Sequence, residues 1–198
     1  NKNSNQRTYK GIIREDFIKI LLKKIKNKTK IISTTGYTSR ELYQVREKYE
    51  LSKGKDFYMV GGMGHASAVG LGSSLYEKNE VICLDGDGAF LMHMGSMPNI
   101  GFYGNKNFKH ILLNNNCHES VGNQKTNIEK IKLSKIALAS GYKKFYLISK
   151  TENIKKTLKR FLNSSGPSFL EVKIKNVSMK NLRRPDNFKN LKRIFMKH

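Results

Sequence analysis

Apolar residues at Phe17, Ile20, Leu21 and Ile25 follow the spacing of one helix face, which predicts an amphipathic helix over Glu15 to Asn27. Ile31-Ile32 then opens a short strand ending in Ser33-Thr34-Thr35-Gly36, and Thr38 or Ser39 is placed to cap a helix from Arg40 to Tyr49. Asp56 to Val60 reads as a second strand, broken by Gly61-Gly62, with a helix of small residues from Gly64 to Tyr76 behind it. Val81 to Asp85 is a continuous apolar run of the kind buried on both faces of a sheet. A helix over Leu91 to Gly101 leads to another such strand, His110 to Asn114. The alternation continues with helix Ile128 to Ser140, strand Lys144 to Ile148, helix Glu152 to Asn163 and strand Ser168 to Ile174. The last stretch, with Arg183-Arg184-Pro185 and no clear period, reads as a tail.

Six strands alternating with helices imply right-handed crossovers. The expected fold is α/β, doubly wound, with a mainly parallel six-stranded sheet and helices on both faces. The chain divides into a helical lead-in (1–30), an α/β domain (31–175) and a basic tail (176–198). In such a fold the active site lies at the carboxyl ends of the strands.

Composition sharpens this picture in two ways. The 198 residues carry 38 basic and 15 acidic side chains, a formal net charge of +23, which raises the question of nucleic acid. The charge is concentrated at the ends: residues 1–30 and 173–198 each carry +8, and the 142 residues between them only +7. It comes as Lys among Asn and Ile, with no zinc-finger spacing, RNP-like aromatic motif or basic heptad region, so it reads as compositional bias on a solvated surface. Two cysteines, Cys83 and Cys117, neither staple a domain of this size nor make a zinc quartet. No apolar stretch has the length of a membrane span, so a cytoplasmic location is expected.

Three loops at strand ends carry the candidate chemistry: Gly61-Gly62-Met63-Gly64-His65-Ala66-Ser67, Asp85-Gly86-Asp87-Gly88-Ala89, and Asn114-Asn115-Asn116-Cys117-His118-Glu119-Ser120. The second and third suit a divalent cation carrying a diphosphate. Asp87 offers a hard carboxylate oxygen between glycines that let a phosphate come close to the backbone. Gly88 and Ala89 present N–H groups at a helix start, an anion site. An Asn amide oxygen and a nearby carbonyl complete a shell of the kind Mg²⁺ takes, with phosphate and water in the remaining positions.

Gly88 and Asn114 enclose 25 residues, room for one helix and one strand. Here the chain resembles the thiamine diphosphate enzymes, whose signature is GDG, some two dozen residues, then NN. The segments STTGYTSREL, GGMGHASAVGLG, LDGDGAFLMHMGSM and NNNCHESVGNQKT resemble the phosphonopyruvate decarboxylase family in particular. The resemblance implies Mg²⁺ held by Asp87, the Asn115 side chain and the carbonyl of Cys117. It implies a diphosphate held by Gly88 and Ala89 with help from Gly36 and Thr38. The Gly61 carbonyl would receive the aminopyrimidine, and Met63 would wedge the cofactor into its bent form. Where the family has Gly this chain has Asn116, a residue that tolerates positive φ.

The implied reaction converts 3-phosphonopyruvate to phosphonoacetaldehyde and CO₂, a step toward phosphonate biosynthesis. His118 is the first candidate for proton handling or phosphonate contact, with Glu119 and Ser120 behind it. The resemblance also implies a pyrimidine-binding domain that supplies the activating glutamate across a subunit interface. No Glu here takes that role, so the domain is expected upstream of Asn1 or on a partner subunit, in a homo- or hetero-oligomer. Sulfopyruvate decarboxylase, whose halves can be separate subunits, is the alternative. A nicotinamide enzyme, suggested by Gly62-x-Gly64 and Asp85, leaves the Asn114–Ser120 loop unexplained, and a basic nucleic-acid-binding protein is the remote alternative. His65 and His93 read as packed residues.

Overall fold

The computed structural model describes residues 11–197. Its elements run α1 (Arg14–Lys24), β1 (Lys30–Ser33), α2 (Tyr37–Lys48), β2 (Lys55–Tyr58), α3 (Ala66–Tyr76), β3 (Val81–Gly86), α4 (Asp87–Met92) and α5 (Met97–Tyr103). They continue with β4 (Phe108–Asn114), β5 (Cys117–His118), β6 (Gln124–Lys125), α6 (Leu133–Ala139), β7 (Lys144–Ile148), α7 (Ile154–Leu162), β8 (Ser168–Lys173) and α8 (Phe188–Met196). Six strands form one sheet in the order β2-β1-β3-β4-β8-β7, every pair parallel. β5 and β6 make a small antiparallel hairpin beyond the end of β4.

Side-chain alternation along the strands divides the core in two. Ile31, Ile82, Leu84, Ile111 and Leu113 face one cluster, which Phe17, Leu21, Leu42, Leu158 and Phe161 of α1, α2 and α7 complete. Ile32, Val81, Cys83, Phe108 and Leu112 face the other, closed by Ala66, Met97, Ile100 and Ala137 of α3, α5 and α6. The connections leave β1 and β3 in opposite directions, so the switch point of this doubly wound sheet lies between their carboxyl ends.

Four expectations need correction. The last residues include α8, whose Phe195 is buried and meets the Phe57 ring of edge strand β2 at 5.5 Å. Phe188, Leu191 and Phe195 supply its apolar side, and the helix shields β2 from open pairing. The helix expected over Leu91 to Gly101 is instead α4 and α5, joined through His93 and a short 3₁₀ turn at Met94–Ser96. Ile128–Lys130 is likewise a 3₁₀ turn ahead of the shorter α6. Neither Thr38 nor Ser39 caps α2: the N-cap is Gly36 at φ 106°, and Ser39 Oγ donates back to Thr34 O inside the first turn.

Lys109, on β4, is almost fully buried and donates to Ser164 O and, at 3.2 Å, to Ser164 Oγ. Burial lowers its pKa to about 8, against an opposing pull from Glu80. Below that pH both folded and unfolded chains hold the proton, and the fold carries the whole penalty. Between about 8 and the ordinary lysine value near 10.4 the unfolded chain binds more protons, so this group makes stability rise with pH, by up to about 1.4 kcal/mol per unit. Urea midpoints between pH 7 and 9.5 should show that rise in the wild type relative to Lys109→Met. Parallel curves would show that Lys109 does not titrate there.

Candidate active site

The segment after β1, the turn after β3 and the segment after β4 meet at the switch point and line one cleft. Every residue proposed from the sequence lines it except Gly61. The segment after β1 contributes Gly36 and Thr38, the turn after β3 Asp87, Gly88 and Ala89, and the segment after β4 Asn115, Cys117, His118, Glu119 and Ser120, with Met63 at the side. Gly61 adopts φ 77° beyond β2, outside the cleft lining. His65 and His93 also stand outside it, exposed, with their rings tilted by 36° and their centroids 4.0 Å apart.

Asp87 opens α4 and is 3% exposed. Its Oδ2 accepts from Thr126 Oγ1 at 2.7 Å. Burial raises its pKa to about 6 in spite of hydrogen bonds from Thr126 and from the Gly88 and Asp87 N–H groups. A desolvated carboxylate of this kind gains from a cation placed against it. A Cβ on Gly88 would fall 2.3 Å from His118 Nδ1, so the imidazole occupies the space that the missing side chain leaves. A Cβ on Gly36 would stand 3.3 Å from Ser120 Oγ, which shows how closely the segments after β1 and β4 approach.

The Asn triplet is divided by role. Asn114, at the end of β4, donates to Glu171 Oε1 at 2.7 Å and accepts the Asn116 N–H at 3.0 Å, which folds the chain back. Asn116 completes the turn at φ 61°, a left-handed conformation that asparagine tolerates. Asn115 Nδ2 donates to Glu119 Oε2 at 3.0 Å, and its Oδ1 accepts the Cys117 N–H at 3.2 Å. Burial pushes the Cys117 thiol up to about 11, with Asp87 and Glu119 adding to it, so the thiol stays protonated and inert.

The donor set fits a magnesium-bound diphosphate. Asp87 carboxylate and Asn115 amide oxygens are hard ligands, and a cation of that charge needs the anionic partner that the Gly88-Ala89 helix start can receive. Thr34 Oγ1, buried in the cleft wall, has no hydrogen-bond partner and is free to donate.

Three contributors lay outside the sequence reading: Arg14, Glu41 and Thr126. Arg14 lines the cleft, is 3% exposed, and ion-pairs with Glu41 Oε1 at 3.2 Å and with Glu119 Oε2. Glu41 is fully buried and accepts the Met179 N–H at 3.0 Å; burial raises its pKa against the pull of Arg14. Thr126 arrives through the β5–β6 hairpin, whose register sets Cys117 opposite Lys125.

A doubly wound parallel sheet whose switch point gathers a buried aspartate, an asparagine amide and a glycine-rich turn is the arrangement of an α/β domain with its cleft at the carboxyl ends of the strands. The family described as "Thiamine pyrophosphate enzyme, C-terminal TPP binding domain" matches residues 34–172, and the chain belongs to it. A phosphonopyruvate decarboxylase of Streptomyces viridochromogenes is 34% identical over 165 residues, 83% of this chain and 40% of that protein. Sulfopyruvate decarboxylase subunit beta of Methanocaldococcus jannaschii is 37% identical over 152 residues, 76% of each chain. The chain thus spans well under half of the phosphonopyruvate decarboxylases and three quarters of the sulfopyruvate decarboxylase subunit. A solved thiamine diphosphate-dependent 4-hydroxybenzoylformate decarboxylase of Rhodococcus jostii shares the fold with a TM-score of 0.67 at 17% identity, over 83% of this chain and 33% of that one. Among the described residues no helix is long and apolar enough to cross a membrane.

Proposed function

We propose that this chain is the diphosphate- and Mg²⁺-binding part of a cytoplasmic thiamine diphosphate-dependent decarboxylase that converts 3-phosphonopyruvate to phosphonoacetaldehyde and CO₂. The observation that carries the reading is the convergence of Asp87, Asn115 and the Gly88 helix start on one cleft at the switch point. Thiamine diphosphate, when bound, supplies the electron sink for the pair left behind as CO₂ departs. Asp87, Asn115 Oδ1 and the Cys117 carbonyl would hold the cation. The Gly88 and Ala89 N–H groups, with Gly36 and the Thr38 hydroxyl, would receive the diphosphate. Met63 shapes the wall, and Gly61 would offer its carbonyl from outside the cleft lining. His118, packed over Gly88, would hold or pass the proton that replaces CO₂ or meet the anionic head of the substrate, with Ser120 beside it. A pyrimidine-binding domain or subunit completes the site.

A second reading, the beta subunit of a sulfopyruvate decarboxylase, is favoured by one observation. The chain covers 76% of the M. jannaschii subunit but 40% of the Streptomyces enzyme. Both substrates are three-carbon 2-oxo acids with an anionic head. The test is CO₂ release from each acid, with the chain joined to its pyrimidine-binding part, Mg²⁺ and thiamine diphosphate. Faster turnover of phosphonopyruvate supports the first reading, and faster turnover of sulfopyruvate replaces it with the second. Turnover of neither refutes both.

A further inference from the structure

Arg14 stands 73 residues before Asp87, on a helix whose other buried residues are apolar, yet its guanidinium reaches the cleft. The approach is built by the backbone. Ile12 runs parallel to Ile174 past the end of β8, with Ile12 N–H donating to Lys173 O at 3.1 Å and Lys175 N–H to Ile12 O at 2.9 Å. This delivers the first turn of α1 to the carboxyl end of the sheet. There a relay of buried polar groups begins. Glu41 Oε1, fixed by the Met179 N–H, receives Arg14 Nη1; Arg14 Nη2 meets Glu119 Oε2; and the same Oε2 receives Asn115 Nδ2 at 3.0 Å.

The last link has a chemical consequence. An asparagine side chain presents an oxygen at one end and an NH₂ at the other, and its two flipped orientations have nearly the same shape. Only the oxygen can ligate a cation; the NH₂ end would repel one. A carboxylate paired with arginine accepts hydrogen bonds and cannot donate them, so Glu119 admits only the NH₂ end of Asn115. The amide oxygen is thereby turned the other way, where the Cys117 N–H at 3.2 Å occupies one lone pair and leaves the second for a metal.

We propose that Arg14 is a positioning residue for the metal site: it clamps Glu119 against Asn115 and so locks the amide with its oxygen toward the cation. This rests on the magnesium and diphosphate reading above and assigns Glu119 to alignment, not proton transfer. Lysine cannot replace the guanidinium, because one ammonium does not span two carboxylates in the fixed fork that Arg14 provides. Losing Arg14 leaves the Glu41 and Glu119 carboxylates facing each other, and losing either Arg14 or Glu119 leaves the Cys117 N–H alone to hold the amide, at 3.2 Å.

The test is the Mg²⁺ concentration giving half-maximal binding of thiamine diphosphate to the full protein, read by calorimetry without substrate. Arg14→Lys and Glu119→Ala should each raise that concentration about 10- to 100-fold, the range for residues that orient metal ligands. The double variant should be no worse than Glu119→Ala alone, since both break one relay. Leu21→Ala, fully buried in the same helix and remote from the cleft, provides a destabilised control whose Mg²⁺ requirement should stay within about twofold of wild type. A normal Mg²⁺ requirement in Arg14→Lys and Glu119→Ala would overturn the proposal, as would an equal rise in Leu21→Ala. Wild-type protein that binds the cofactor without Mg²⁺, or an Asp87→Ala variant that binds it normally, would instead overturn the metal-site reading itself and the proposal with it.

Discussion

Replacing Asp87 with alanine should cut CO₂ release by at least about 100-fold, the loss expected when the group holding a catalytic charge is removed. The apo protein should stay folded. Asp87 is 3% exposed, its pKa is raised to about 6 by burial, and its side-chain partner is the Thr126 hydroxyl at 2.7 Å. Nothing in the unliganded cleft repays the desolvation of that carboxylate in full, so the change in unfolding free energy should lie within about 1 kcal/mol of zero. The pairing of the two results is diagnostic. A residue kept for packing would lose stability and activity together; a metal ligand loses activity alone. Thermal unfolding and a CO₂ assay on the same preparation decide between them.

The largest effect on stability is expected at a position with no chemistry. A Cβ on Gly101, in α5, would lie 1.7 Å from Ser140 O and 2.8 Å from Gly141 Cα. Backbone, not a movable side chain, blocks it. To make room, α5 would have to withdraw from the turn after α6 and lift Met97 and Ile100 out of the second core cluster. Gly101→Ala should therefore cost about 3 kcal/mol or more in urea unfolding. Gly72, inside α3, has nothing within 4 Å of its missing Cβ, and Gly72→Ala should stabilise by up to about 1 kcal/mol. Equal midpoints for the two variants would contradict the packing described at the α5–α6 contact.

The parts of the fold that were legible in the sequence are those written locally. Val81–Asp85 and His110–Asn114 announce strands buried on both faces, and the glycines, aspartate and asparagines after them fall at strand ends and line the cleft. Asn116, read as a residue that tolerates positive φ, adopts φ 61°. What escaped notice depends on contacts across long separations. Arg14 is one charged residue at the start of a lysine-rich helix, and its partners Glu41 and Glu119 are 27 and 105 residues away. Thr126 reaches Asp87 only through the hairpin, 39 residues on. The α8 helix did leave a signal, Phe188, Leu191 and Phe195 at helical spacing, but its polar side is so basic that it reads as tail. The break between α4 and α5 also left a signal, Gly95-Ser96 followed by Pro98 in the first turn of α5, which the apolar spacing of Leu91 to Gly101 hid.

The central claim is that the switch-point cleft binds thiamine diphosphate through a divalent cation. Its most direct test is to titrate thiamine diphosphate into the full protein with saturating Mg²⁺ and again with EDTA. Saturable binding, near one per chain, that disappears with EDTA is the predicted result. Absence of binding in both titrations, or binding of equal strength in EDTA, would contradict it.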